Sequence, residues 1–160
     1  MSEVVTLTTD DTDRMAALHR ACFDKPWDKA AFRDLLALPG ALAVGLVQDG
    51  ELVSFVLSSM VAGEADILTI ATHPDARRKG YGRTVLEDWL RASAALGAAR
   101  ATLDVAADND SAISLYESFG FKQDGRRPNY YRHADGTQVD AVLYSLKLDA
   151  SAGLGAAPTA

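Results

Sequence analysis

A chain of 160 residues, 48% hydrophobic and 24% charged, has the size and composition of one globular domain with a sizeable core. One cysteine, Cys22, excludes an internal disulfide framework, and the scattered His19, His73 and His133 show no metal-ligand spacing, so no metal is expected and a reducing, cytoplasmic setting is. A net charge of −6 and a pI of about 4.9 argue against nucleic acid as a partner, which is held by neutralising phosphates, and suit a cationic one such as an ammonium group or a basic peptide.

In chain order, residues 4–7 read as a short strand. Thr9 or Asp10 is placed to cap a helix carrying Met15, Leu18 and Cys22 on one face, with Cys22 buried. Asp28, after Pro26-Trp27, caps a short second helix with Phe32, Leu35 and Leu36, stopped by Pro39-Gly40. Residues 41–47 and 52–60 are apolar strands joined by Asp49-Gly50, a strong hairpin signal. A further strand covers 66–72 and ends at His73-Pro74.

A long helix fits 81–96, with Val85, Leu86, Trp89 and Leu90 inward and Gly97 after its end. Residues 101–105 read as a strand and 111–119 as a helix closed by Gly120. Two last strands within 121–148 flank the turn Ala134-Asp135-Gly136-Thr137. The order β-α-α-β-β-β-α-β-α-β-β predicts one α/β domain over residues 1–149, a mixed sheet with helices on its faces. Residues 150–160, almost wholly Ala, Gly, Ser, Pro and Thr, are expected to be a disordered tail. No apolar run approaches the roughly 20 residues of a membrane span. Met1-Ser2-Glu3 lacks the basic-then-apolar pattern of a signal peptide, so neither membrane nor export is expected.

The strongest local signal is Arg77-Arg78-Lys79-Gly80-Tyr81-Gly82, between a strand and the long helix. Two glycines let the backbone turn tightly and approach a ligand, and free N–H groups at a helix start face an anion. Arg77, Arg78, Lys79 and Arg83 add positive charge there, and a pyrophosphate suits such a site. No Gly-Lys-Ser/Thr follows, so this is not a P-loop, and a third glycine of the dinucleotide fingerprint is missing. Six residues alone are also compatible with a solvated basic turn.

Arg-x-x-Gly-x-Gly in this setting resembles the acetyl-CoA signature of the GCN5-related N-acetyltransferases. The likeness continues through Asn109, Ser111-Ala112-Ile113 and Leu115-Tyr116-Glu117-Ser118-Phe119-Gly120-Phe121. Pro26-Trp27, Arg126-Arg127 before Asn129-Tyr130-Tyr131, and Asp135-Gly136 before Asp140-Ala141 resemble the branch that acetylates the N-terminal alanine of a small-subunit ribosomal protein. The resemblance spans about residues 4–148. It implies a mostly antiparallel sheet of six to seven strands, flanked by about four helices and splayed at the cofactor cleft.

It also implies roles. Ile70 and Thr72 would hold the pantetheine through backbone groups, amides from Arg78 to Arg83 the pyrophosphate, and Asn109 the cofactor's other side. Tyr116 would be the general acid that protonates the leaving thiolate, and it lies against the cofactor. The general base would be Asp104, twelve residues before Tyr116, where the family branch carries a glutamate. Asp66, eleven residues before Arg77, is a second candidate and Glu64 a third. Trp27, Tyr130 and Tyr131 would line the acceptor groove, whereas Trp89 and Phe119 belong to the core.

An α-amine with pKa near 8 is about one-tenth neutral at pH 7, while a lysine is about 3 kcal/mol harder to deprotonate. A shortened base therefore favours a protein N-terminus as acceptor. A lysine or small-molecule amine as acceptor, and a non-catalytic acyl-CoA-binding module, remain as alternatives.

Overall fold

Seven strands and four α-helices follow one another in the order the sequence predicts, in a computed structural model that describes residues 2–148. The strands are β1 (Ser2–Thr6), β2 (Ala41–Gln48), β3 (Glu51–Val61), β4 (Glu64–Thr72), β5 (Arg100–Ala106), β6 (Lys122–Arg132) and β7 (Gln138–Lys147). The helices are α1 (Thr12–Cys22), α2 (Lys29–Leu36), α3 (Tyr81–Ala95) and α4 (Asp110–Ser118). The tail expected over 150–160 lies outside the described residues.

Local chemistry sets the boundaries. Asp49 and Gly50 take φ of 52° and 85°, the paired left-handed turn that suits a two-residue hairpin. Asp28 caps α2 by accepting from the Ala31 amide at 2.9 Å. The start of α1 departs from expectation: neither Thr9 nor Asp10 is its cap. Thr8 instead caps a 3₁₀ turn over Thr9–Asp11, accepting from the Asp10 amide, while Asp11 bonds back to the Thr8 amide at 2.7 Å. The reciprocal pair satisfies two orphan amides, so α1 begins only at Thr12.

The sheet order is β1-β2-β3-β4-β5-β7-β6, and every pairing is antiparallel except β4 with β5. The α3 and α4 side buries Trp89, Leu86, Val85 and Tyr116 against Val56, Ile67, Leu103 and Val105. Trp89 donates its indole N–H to Ser58 Oγ at 2.7 Å, and Ser58 donates in turn to the Leu42 carbonyl, so the largest core side chain leaves no donor unmet. The other side packs Met15, Leu18 and Phe32 of α1 and α2 on Phe55, Leu57 and Ala71. Cys22, expected to be buried, is half-buried at the end of α1.

Two irregularities of β4 position the site. Ser58 opposes Ile67 while Leu57 opposes Thr69, which leaves Leu68 as an extra residue. One extra residue reverses the facing of everything after it. Ile67 therefore packs toward α3, yet Ala71, four residues on, packs toward α1. Pairing with β5 lasts only three rungs, Glu64–Arg100, Ala65–Ala101 and Asp66–Thr102, and the two strands then part.

Candidate active site

The fork between β4 and β5 is the organising feature. Beyond Asp66, β4 pairs with β3 alone among the described residues, so one edge of its backbone faces the cleft with free amides and carbonyls. Ile70 and Thr72 lie on this stretch. The Thr72 carbonyl is already engaged, accepting from Cys22 Sγ and from Arg77 Nε, each at 3.3 Å. Its hydroxyl pairs with Ser54 Oγ at 2.9 Å.

The glycine-rich segment leads into α3. Arg78 and Gly80 both hold positive φ, 68° and 79°, which turns the chain sharply before the helix. The first helical bond runs from the Thr84 amide to the Gly80 carbonyl at 3.0 Å. The amides of Tyr81, Gly82 and Arg83 precede it and lack helical acceptors, and the helix dipole favours negative charge beside them. A Cβ built on Gly80 meets nothing within 4 Å, whereas one on Gly82 stands 3.3 Å from Thr72 Oγ1. Open space over exposed amides, flanked by exposed Arg78 and Lys79, fits a pyrophosphate. The side chains of Arg77 and Arg83 are turned elsewhere: Arg83 bonds Ser118 Oγ and stacks 4.7 Å from the centre of the Phe119 ring.

Asn109 is the N-cap of α4, its side-chain oxygen accepting from the Ala112 amide and the Ser111 hydroxyl, each at 3.3 Å. It thereby orients the helix that carries Tyr116. The Tyr116 side chain is buried edge-on to Phe121, with ring centres 5.7 Å apart. Burial, and then the neighbouring Tyr131, push its phenol far above the ordinary range and keep it protonated. Its hydroxyl has no hydrogen-bond partner among the described residues.

Strand alternation turns Ala101, Leu103 and Val105 of β5 into the core and aims Thr102 and Asp104 at the opposite side. Asp66 accepts from Thr102 Oγ1 at 2.7 Å. Burial raises its pKa, with Asp104 and Glu64 adding to the rise, while the Thr102 bond and Arg127 oppose it. Asp104 faces Arg127, Nη1 to Oδ2 being 3.8 Å. Glu64 is tied to Arg100 at 3.1 Å. An open depression of about 610 Å³ lined by Ser59, Val61, Ala62, Glu64, Asp66, Leu68 and Thr102 adjoins the fork.

Tyr130 and Tyr131 stand edge to face with ring centres 5.2 Å apart. Between Arg127 and Tyr131 the β6–β7 register slips, and the Asn129 amide donates to Asp140 Oδ1 at 3.0 Å from a left-handed backbone. That bulge carries Tyr130 into solvent and turns Tyr131 inward. The Tyr131 phenol is pushed up to about 12 by burial, then by Asp104 and Tyr130. Asp104, Tyr131 and Tyr116 are thus close enough to act electrostatically on one another in series.

Trp27 is stacked on His19 at 5.0 Å and stands edge-on to Phe32. Sequence reasoning passed over His19, Thr102 and Arg127. His19 accepts from the Trp27 amide at Nδ1 (3.0 Å) and reaches Thr69 Oγ1 through Nε2 (3.1 Å), pinning the α1–α2 loop to the bulged stretch of β4. Thr102 was within reach, since alternation sets it on the face of Asp104.

The chain's likenesses agree with this geometry. The sequence profile of the Acetyltransferase (GNAT) family matches residues 12–121. A [ribosomal protein bS18]-alanine N-acetyltransferase of Escherichia coli K12 is 32% identical over 148 residues, covering 92% of this chain and 99% of that protein. The N-alpha-acetyltransferase RimI of Mycobacterium tuberculosis is 37% identical over 132 residues, 79% of this chain and 82% of the other. The crystal structure of the Escherichia coli ribosomal-protein-S18-alanine N-acetyltransferase superposes with a TM-score of 0.87 at 32% identity, covering 93% of this chain and 95% of that one. Among the described residues no helix is long and apolar enough to cross a membrane. A splayed sheet, a glycine-rich helix start and a buried tyrosine at the fork, matched over nearly the whole chain, make this protein a member of the GNAT acetyltransferase family.

Proposed function

We propose that this enzyme uses acetyl-CoA to acetylate the free α-amine of a protein beginning with alanine, the acceptor being a small-subunit ribosomal protein in the cytoplasm. The observation that carries the reading is the series at the fork in which Tyr131 feels Asp104 and Asp66 and in turn bears on the always-protonated phenol of Tyr116. The names of the Escherichia coli relatives supply the acceptor class.

Acetyl-CoA, when bound, supplies an activated acetyl thioester. The amides of residues 78–83 would hold its pyrophosphate, Ile70 and Thr72 would take its pantetheine along the free edge of β4, and Asn109 would contact it from α4. Asp104 and Asp66 favour an ammonium group at the fork, because two neighbouring carboxylates make the site attractive to a cation. Asp104 takes the proton that leaves the amine nitrogen, directly or through water, because of the two carboxylates it acts more strongly on Tyr131. Tyr116 holds its proton at Oη for the departing sulfur. A phenol is a weak acid, but a thiolate whose conjugate acid has pKa about 8.5 accepts from it within hydrogen-bond reach. Tyr130 and Tyr131 line one wall of the acceptor groove and the Trp27 loop the other.

A terminal amine suits this carboxylate better than a lysine does, by the 3 kcal/mol or so that separates their deprotonation. A binding module without turnover would have no use for a phenol hydroxyl that bonds to none of the described residues. Mass spectrometry of an Ala-started bS18-type peptide after incubation with enzyme and acetyl-CoA tests the reading. One acetyl group on the first residue supports it; acetylation on an internal lysine, or none, contradicts it.

A further inference from the structure

Arg127 is a cation on the acceptor side that the chemistry above leaves without a task. It sits on β6 opposite Ala141, where the register slips before Tyr131. Its guanidinium is 3.8 Å from the Asp104 carboxylate and 5.3 Å from the centre of the Tyr130 ring. The same charge reaches Asp66 and Tyr131, opposing the burial that raises both. Its neighbour Arg126 is committed to Asp140 at 3.2 Å and does not share the role.

A carboxylate on one side and an aromatic face on another are the elements from which proteins build cages for ammonium groups. This cage is filled from within. We propose that Arg127 is a positioning and specificity-determining residue: in the free enzyme its guanidinium fills the cation site between Asp104 and the Tyr130 ring, and the acceptor's ammonium must displace it. The inference rests on the acceptor reading above, but its binding half is separable from turnover.

Three features favour a placeholder over a permanent brace. The Arg127 side chain is 51% exposed and that of Asp104 31%, and ion pairs so wetted hold little. The 3.8 Å separation is longer than a hydrogen bond. Asp66 and Asp104 repel one another, as the contribution of Asp104 to raising Asp66 shows, so a cation is favoured there whether or not acceptor is present. A blocked, uncharged N-terminus gains nothing by displacing Arg127, which turns the residue into a filter for free amines.

The test is calorimetric binding of an Ala-started peptide, and of the same peptide acetylated at its N-terminus, to full-length wild type, Arg127→Gln and Arg127→Lys, with steady-state rates alongside. Arg127→Gln is expected to tighten the free-amine peptide roughly three- to fivefold, the upper range for an exposed ion pair. KM should fall in parallel without a rise in kcat, and the blocked peptide should be unaffected. Arg127→Lys should restore wild-type values, which also guards against a folding artefact. Weaker binding of the free-amine peptide to Arg127→Gln, or equal changes for both peptides, would overturn the proposal. Tighter binding with no turnover in any variant would remove the acetyltransferase reading and leave the cage; normal turnover with weaker binding would do the reverse.

Discussion

Thr102 donates its hydroxyl hydrogen to Asp66 at 2.7 Å across the last rung that joins β4 to β5. One residue further the strands separate, so the bond marks the crotch of the fork and fixes a carboxylate there. Burial makes that carboxylate more basic than usual, and the Thr102 bond limits the change by favouring the ionised form. Asp104, two residues beyond Thr102 on the same face of β5, adds the second negative charge. The pair creates a cation-seeking site at the mouth of the cleft.

The two carboxylates are expected to separate kinetically. Asp104→Asn should lower kcat by about 10²-fold, the scale of a lost general base. Asp66→Asn, which still accepts from Thr102, should chiefly raise KM for the acceptor. The opposite pattern would move the proton-accepting role to Asp66. Asp104→Glu should raise activity if reach limits the rate.

Tyr116→Phe removes only an oxygen from a buried ring. It should lower kcat by about 10²-fold or more while acetyl-CoA affinity changes less than about twofold. Equal losses in kcat and affinity, read from steady-state rates and calorimetry, would reduce Tyr116 to a packing residue against Phe121.

A Cβ on Gly82 would stand 3.3 Å from Thr72 Oγ1, a tight contact, and a larger branched side chain would press further. Gly82→Val would force α3 from β4 at the anion-facing amides, and acetyl-CoA binding should weaken by an order of magnitude or more, about 1.4 kcal/mol. Unchanged affinity would detach the pyrophosphate from this helix start.

His19 links the acceptor loop to β4 only as a neutral ring, because Nδ1 must accept from the Trp27 amide. Burial lowers its pKa from 6.5 to about 4. Between those values the unfolded chain binds a proton that the folded protein refuses, so stability falls as pH drops from 6.5 toward 4. The slope from this group is at most about 1.4 kcal/mol per pH unit. His19→Gln should flatten that part of a stability–pH curve while lowering stability at pH 7; an unaltered slope would contradict the assignment.

Much of this was legible in the sequence because it is local. Asp49-Gly50 states its own turn, and the 3.6-residue spacing of Val85, Leu86, Trp89 and Leu90 states the inner face of α3. The bulge at Leu68 was not, since two residues opposing one is a relation between strands that neither strand displays alone. The Thr8 cap escaped for a smaller reason: Thr8, Thr9 and Asp10 are all competent caps, and the reciprocal bond from Asp11 decides among them. Asp66, Asp104, Tyr116 and Tyr131 were visible as candidates through resemblance. His19, Thr102 and Arg127 look ordinary in the chain and gain meaning only from partners 50, 36 and 23 residues away.

Release of free thiol from acetyl-CoA, followed against an Ala-started peptide, the same peptide blocked at its N-terminus with a lysine inside, and a polyamine, is the most direct test of α-amine transfer at the fork. Thiol release only with the free alanine terminus is the predicted result. Release with the blocked peptide or the polyamine, or silence with all three while acetyl-CoA binds, would contradict it.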